Sequence, residues 1–583
     1  MKQFLKYTLA TITGIFVMWI IGGLLLFLTI VGIVAGSSEK TPVVKPNSVY
    51  QLELEGTLVE RSEDNSMAEA LASAMGKSPE KSLGLDDILS NIKKAKNNPD
   101  IKGIYLKGGT LQAGMASVKE IRDALTDFKK SGKFIVAYSD NYTQKMYYLA
   151  SVANKLLVNP QGMVELKGLS AELMFFKNTL DKLGIDMQVV RVGSFKSAVE
   201  PFINTKMSDA NRLQMNVYMN SIWSNLLSQV SESRKIPVDL LNKYADEMMM
   251  FQPATKLKAY HLVDDLVYSD KVGNIIKAYT KDDYNTIKHS AMTKVADNVT
   301  VEKTKIALIY AAGDIDNGDD DGIVSKDLVE TIQKVAKDES VKAVVFRVNS
   351  PGGSAYGSEQ IWHALAELKA KKPLVVSMGD YAASGGYYIS CVADEIVAQP
   401  NTVTGSIGIF GLIPNISGLN EKLGLTYDVV KTNKMSDAIS VNRAFTPEER
   451  GLIQAYINQG YELFVKRCAD GRKKTTDEIK AIAEGRVWTG ADALKIGLVD
   501  KLGGLPLAIS EAAKKAKLTN YNIKEYPEKE DFATKFLKNF GEDAETSVLK
   551  ARLGDQYVIY KRINKIQQMK GIQAMLPFEM DVQ

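Results

Sequence analysis

Ala343-Val344-Val345-Phe346-Arg347-Val348-Asn349-Ser350-Pro351-Gly352-Gly353 is an apolar run that stops at a glycine turn, and Leu374-Val375-Val376-Ser377 leads to a second such turn, Tyr381-Ala382-Ala383-Ser384-Gly385-Gly386. Short apolar runs bounded by turn residues read as buried strands, and Ile306 to Ala311 supplies a third. Leu328 to Val335 and Ser358 to Leu368 carry apolar residues at helical spacing between them. Strand and helix in alternation imply an α/β fold of parallel βαβ units with right-handed crossovers. Reactive groups in such sheets sit beyond the carboxyl ends of the strands, where both glycine turns fall.

Working outward, the pattern occurs twice. Asp87 recurs as Asp327, Ile121 as Ile361, Tyr147-Tyr148 as Tyr387-Tyr388, Lys182-Leu183-Gly184 as Lys422-Leu423-Gly424 and Val189-Val190 as Val429-Val430, all at an offset of 240 residues. A polar insertion near 61–82 is extra in the first copy. A repeat of this length means a duplicated domain, and 583 residues are too many for one ordinary domain. The spans expected are 47–300 for the first copy, 301–525 for the second and 526–583 for a tail. The tail spaces Lys and Arg among apolar residues, as an amphipathic helix for subunit or membrane-surface contact would.

The copies differ where it matters. Ser384 corresponds to Gln144, Gly385 to Lys145, and Pro351-Gly352-Gly353 to Leu111-Gln112-Ala113. Conversely, Lys196 in Gly193-Ser194-Phe195-Lys196 corresponds to Ser436. Each copy holds something the other has lost, the pattern of a site shared between them.

A net charge of +4, from 73 basic and 69 acidic residues, does not suggest a nucleic-acid binder. Two cysteines cannot build a disulfide framework, and three histidines argue against a His-rich metal site. No metal or cofactor is expected. No charged residue lies between Lys6 and Glu39, a stretch of 32 residues. About 20 apolar residues cross a bilayer as a helix, and the apolar part of a cleaved signal peptide is shorter, about 7–15 residues. The expectation is a transmembrane anchor over 12–34 after a short cytoplasmic N-terminus at 1–11, with the bulk of the chain on the far side.

A serine beside two glycines at a strand-to-helix turn is a good nucleophile position: glycine lets a substrate approach the backbone, and the free N–H groups of the helix start face a developing oxyanion. Gly353 offers a second N–H. The plain alternative is that Ser384 only caps a helix. The nucleophile needs a base, and no histidine follows Ser384 in the chain; His363, on a helix before it, reads as a surface or packed residue. A lysine kept neutral by burial is the other choice, and Lys196, beyond the strand Val189 to Val192, is the one the repeat comparison singles out. Ser90-x-x-Lys93 and Ser139-Asp140-Asn141 imitate penicillin-binding motifs, but the accompanying Lys-Thr-Gly is absent.

Asn349-Ser350-Pro351-Gly352-Gly353, Ala382-Ala383-Ser384-Gly385-Gly386-Tyr387-Tyr388, Thr404-Gly405-Ser406-Ile407-Gly408 and Gly193-Ser194-Phe195-Lys196-Ser197-Ala198, with the anchor and the repeat, resemble the long, duplicated form of the signal peptide peptidase family. The resemblance covers essentially the whole chain. It implies two tandem Clp-protease/crotonase-like domains and a Ser–Lys dyad in which Ser384 attacks and Lys196 takes its proton. It further implies an oxyanion hole from the Gly353 and Gly385 amides, with Ser406 orienting the lysine amine. The implied assembly is a homotetramer, single-pass in the inner membrane of a bacterium with its bulk in the periplasm. Its partners would be membrane lipid, through the N-terminal helix, and cleaved signal peptides and other apolar peptides, cut within their hydrophobic segment. Two rivals remain: a crotonase-fold acyl-CoA enzyme, which would need neither Ser384 nor an anchor, and a non-catalytic membrane scaffold, which would tolerate loss of both Ser384 and Lys196.

Overall fold

The computed structural model describes residues 2–36, 42–62, 82–296, 302–316, 322–529, 552 and 573–575. In chain order the first half holds β1 (Ser48–Val59), β2 (Ser82–Gly84), β3 (Ile101–Gln112), β4 (Phe134–Tyr142), β5 (Lys155–Val164), β6 (Asp186–Arg191), β7 (Asp265–Leu266) and β8 (Asn285–Lys288). The second holds β9 (Lys305–Ala312), β10 (Val341–Ser350), β11 (Gly352–Ser354), β12 (Leu374–Ala383), β13 (Glu395–Ala398), β14 (Val403–Gly405), β15 (Phe410–Asn415), β16 (Val487–Thr489), β17 (Lys501–Leu502), β18 (Asn522–Tyr526) and β19 (Gln573–Met575).

Two parallel sheets form, one per half. The first runs β2-β1-β3-β4-β5-β7 with β8 beside β1. The second runs β16-β14-β12-β10-β9-β18, with β13 beside β12 and β17 beside β13; β16 alone is antiparallel. Helices cover the sheets, as parallel strands require, and β10 is correspondingly buried along nearly its whole length. This is the tandem α/β arrangement expected from the sequence. One strand runs further than its apolar run suggested. Beyond Ser377, β12 continues to Ala383, because Tyr381–Ala383 pair with Val403–Gly405 of β14. Ser384 is therefore the first residue past the strand.

A third, four-stranded sheet crosses between the halves in the order β11-β19-β15-β6, all antiparallel. Here β6 leaves its own half and pairs with β15 of the other, from Arg191↔Phe410 to Asp186↔Asn415.

The halves are also fused by burial and charge. Ala383, Val403 and Val487 of the second half pack in the hydrophobic core of the first. Arg347 on β10 is fully buried and donates to Glu60 (2.8 Å), Glu120 (2.7 Å) and the Met378 carbonyl. Glu60 also accepts from Asn349 Nδ2 at 2.8 Å. A buried ion group of this kind holds only because each charge is met. The helix Met115–Lys129 has no side-chain cap of its own. Asp380 supplies one from the other half, accepting from the amides of Ala116 and Ser117, both at 2.9 Å, and from Ser117 Oγ.

The N-terminal helix spans Lys2–Gly36 and stands clear of the rest over its described side chains. Its stretch Gln3–Leu24 is long and apolar enough to cross a membrane, which makes it a candidate anchor. The polar insertion near 61–82 and the amphipathic reading of the tail fall mostly outside the described residues.

Candidate active site

Ser384 sits at the turn from β12 into the helix Gly385–Ser390, with φ 55 and ψ −113. An L-residue rarely adopts a positive φ, and strain of this kind persists where the surroundings fix it. Here they do: the Ser384 amide donates to the Gly405 carbonyl at 2.8 Å, and its carbonyl accepts from the Tyr388 amide at 2.8 Å. The turn pushes the side chain out of the strand, a geometry that a nucleophile elbow also uses. Neighbouring glycines are sterically required. A Cβ on Gly386 would fall 2.4 Å from the Ser350 carbonyl oxygen, and one on Gly352 2.7 Å from the Gly385 nitrogen.

Lys196 arrives from the first half at the end of the loop that follows β6. Its amine lies 2.7 Å from Ser384 Oγ, 3.0 Å from Ser406 Oγ and 3.2 Å from the Ser406 carbonyl oxygen. Ser384, Lys196 and Ser406 have no exposed surface. No carboxylate meets the amine, and burial alone drives its pKa well below the ordinary lysine value. Burial thus favours the neutral amine, the form that can accept a proton. Gly353 and Gly385 lie on the two turns flanking the serine, Gly353 in β11 with φ 153. All five residues singled out from the sequence thus lie together.

The cradle of Lys196 was not foreseen. The Phe195 amide donates to the Glu484 carbonyl at 3.0 Å, and a Cβ on Gly485 (φ 77) would lie 2.7 Å from Lys196 Cβ. On the other side, Gln214 Nε2 donates to Ser197 Oγ (2.9 Å) and the Phe195 carbonyl (3.2 Å), while Gln214 Oε1 accepts from the Val487 amide. Gly485 just before an apolar strand was the one local signal for this contact.

The corresponding places in the repeat are closed. Thr143 caps the helix Gln144–Ala150. The Gln144 side chain fills the serine position, donating to the Gly168 carbonyl and accepting from the Lys167 amide. Ser436, the counterpart of Lys196, is exposed. His363 pairs at the surface with Glu367, and Ser139 Oγ is spent on backbone carbonyls. Among the described residues no group of three or more His, Cys, Asp or Glu is placed to hold a metal.

The model of peptidase family S49 matches twice, at residues 127–281 and 366–519, once in each half. Protease 4 of Salmonella typhi is 39% identical over 496 residues, covering 82% of this chain and 79% of that protein. A chloroplastic serine protease, SPPA of Arabidopsis thaliana, is 34% identical over 75% of this chain and 66% of its own length. A putative signal peptide peptidase SppA of Enterococcus faecium is 34% identical over 47% of this chain and 80% of its own length.

Proposed function

The chain belongs to peptidase family S49, a family of serine proteases, and within it we propose a membrane-anchored endopeptidase with a Ser384–Lys196 dyad that degrades cleaved signal peptides inside their apolar segments. The observation that carries this reading is the 2.7 Å contact between the Lys196 amine and Ser384 Oγ, in a pocket that leaves the amine without a counter-charge.

Lys196, neutral, takes the proton of Ser384 Oγ as that oxygen attacks the scissile carbonyl. Ser406 holds the amine in line through its hydroxyl and carbonyl. The amides of Gly353 and Gly385 receive the oxyanion of the tetrahedral intermediate. Protonated Lys196 then passes its proton to the leaving amine, and the acyl group rests on Ser384. Water attacks the ester with Lys196 again as base, and serine is restored.

The substrate class follows from the anchor, from the resemblance and from the signal peptide peptidase among the relatives. A cleaved signal peptide is an apolar helix left in the bilayer, and an anchored enzyme meets it at high local concentration. Lys2 and Lys6 favour a cytoplasmic N-terminus, which puts the bulk on the far side of the membrane; the periplasmic face of a bacterial inner membrane and a homotetramer are what the family resemblance implies.

The test compares wild type, Ser384→Ala and Lys196→Ala on a fluorogenic apolar peptide and on a synthetic signal peptide. Wild type cleaves both; each variant is silent while its circular dichroism and light-scattering mass match wild type. Full activity in Lys196→Ala places the base elsewhere. If wild type itself is silent, the duplicated domain is a scaffold.

A further inference from the structure

The chain has two cysteines, Cys391 and Cys468, both free thiols with no exposed surface. Cys391 closes the helix Gly385–Ser390 that begins at the Ser384 turn, and its Sγ donates to the Tyr388 carbonyl at 3.1 Å. Cys468 lies near the end of the helix Pro447–Arg472. The chain is pressed together there. Gly471, three residues on, shares a helix face with Cys468, and a Cβ on it would fall 2.0 Å from the Cys391 carbonyl oxygen. The two thiols face each other closely enough to hydrogen-bond, inside one apolar core.

A buried residue touches about 6–12 others. In a chain of 583 residues, two cysteines placed at random meet about once in 50–100 cases. Packing does not demand them either. The first copy holds the matching helices Gln144–Ala150 and Asp209–Arg234. The longer helix ends in both copies on an arginine paired with an aspartate, Arg234 with Asp264 and Arg472 with Asp500. On that alignment Ser151 stands at the place of Cys391 and Val230 at that of Cys468, and both are buried. The fold thus accepts a hydroxyl and an apolar side chain at these places, and the thiol pair is confined to the copy that carries Ser384.

The pair sits where the two elements of the site are braced. Near its start the helix Pro447–Arg472 meets β6, where Arg450 donates to the Val189 carbonyl at 3.1 Å. Further along, Phe464 packs on Tyr388 with ring centroids 4.5 Å apart, and Arg467 and the Tyr388 hydroxyl both donate to Glu359. One helix therefore leans on the lysine strand at one end and on the helix after Ser384 at the other.

We propose that Cys391 and Cys468 are a disulfide site, closed as the chain folds, which fastens the helix after Ser384 to the helix that lies against β6. Two cysteines are too few for a framework and enough for one bridge. The oxidant is a disulfide of the folding compartment, the class found on the far side of a bacterial inner membrane. One cysteine thiolate attacks a sulfur of that oxidant and expels its other half as a thiol. The second cysteine then attacks the protein sulfur of the mixed disulfide and expels the remaining half. One S–S bond forms and one breaks; two electrons and both cysteine protons pass to the oxidant, which leaves as two thiols. Burial sets the moment of reaction. It pushes the Cys468 thiol well above its ordinary pKa, so the folded pair offers no thiolate to a reagent outside. The bridge is made before the core closes and is afterwards out of reach of soluble reductants.

The experiment makes the full-length chain by cell-free synthesis into detergent, in glutathione buffer of oxidising or of reducing poise, followed by acid quench, unfolding and alkylation. After oxidising synthesis, intact mass shows no alkyl group before reduction and two after it, and a peptide map joins residues 391 and 468. After reducing synthesis two alkyl groups enter at once. The bridged form melts about 2–8 °C above the reduced one. That difference vanishes in the double variant Cys391→Ser, Cys468→Val, which carries the residues of the first copy. Two free thiols after oxidising synthesis, glutathione held on separate cysteines, or bridges between chains overturn the proposal. Equal melts of the bridged and reduced forms, or a difference that persists in the double variant, overturn the fastening. None of these readouts uses hydrolysis or membrane orientation, so they stand apart from the peptidase reading.

Discussion

Replacing Lys196 by methionine separates the chemistry of the buried amine from its burden on the fold. The amine meets only neutral atoms, Ser384 Oγ, Ser406 Oγ and the Ser406 carbonyl, and burial is the cause of its depressed pKa. The buried lysine costs the folded state about 1.4 kcal/mol for each pH unit below its ordinary pKa, down to the folded value. The unfolded chain keeps a proton that the folded one sheds, so it binds more protons between the folded value and the ordinary 10.5. Wild-type stability therefore rises with pH across that window. Lys196→Met carries no such slope. It leaves two serine hydroxyls short of a partner, which offsets part of the gain by about 1–3 kcal/mol. The pH slope of the difference is thus a cleaner readout than its value at one pH. The assay is paired thermal melts from neutral pH towards 10.5, where the advantage of the variant over wild type shrinks steadily. In a chain of 583 residues each kcal/mol moves Tm by less than the about 2–4 °C of a 150–250-residue domain. Peptide hydrolysis falls about 10²–10⁴-fold, the usual worth of a general base. A melt difference that stays constant with pH refutes the account of a neutral buried lysine; retained hydrolysis refutes its role as base.

The remaining predictions follow from the same geometry. Ser406→Gly, at a φ of 50 that glycine accepts freely, lowers kcat about 10–100-fold with KM nearly unchanged, because only the aim of the amine is lost; steady-state kinetics decide it. Gly485→Ala drives a methyl group to within 2.7 Å of Lys196 Cβ, so hydrolysis drops more steeply than the urea midpoint does. Arg347→Met leaves Glu60 and Glu120 buried without their cation and costs about 3–5 kcal/mol, read from urea unfolding and partly recovered by adding Glu120→Gln.

The residues of the proposed dyad were legible because duplication supplies its own comparison. Where one copy keeps Ser384 with its glycines and the other holds Gln144, the difference marks a site without any outside reference. Lys196 came out of the same comparison, since one lysine among many carries no local signal. The contacts that bring it to the serine did not. β6 has the alternating apolar pattern of any strand, and nothing in its residues says that its partner is β15 of the other half. Glu484 of the cradle is 290 positions from Ser194 in the chain, and such long-range pairings are set by packing, not by spacing. β19 has three residues, too short for any periodicity. The end of β12 was placed early because its polar stretch Gly379-Asp380 breaks the apolar run, while Asp380 in fact reaches across to cap a helix of the first half.

The pairing of β6 with β15 has a consequence for the making of the protein. The lysine precedes the serine by 188 residues, and synthesis delivers the chain from its N-terminus, with domains folding as they emerge. On the proposed dyad, Ser384 when it appears has no base until β15 has formed and taken up its partner. A peptidase built this way would be harmless throughout its assembly, with hydrolysis beginning only once the two halves have joined.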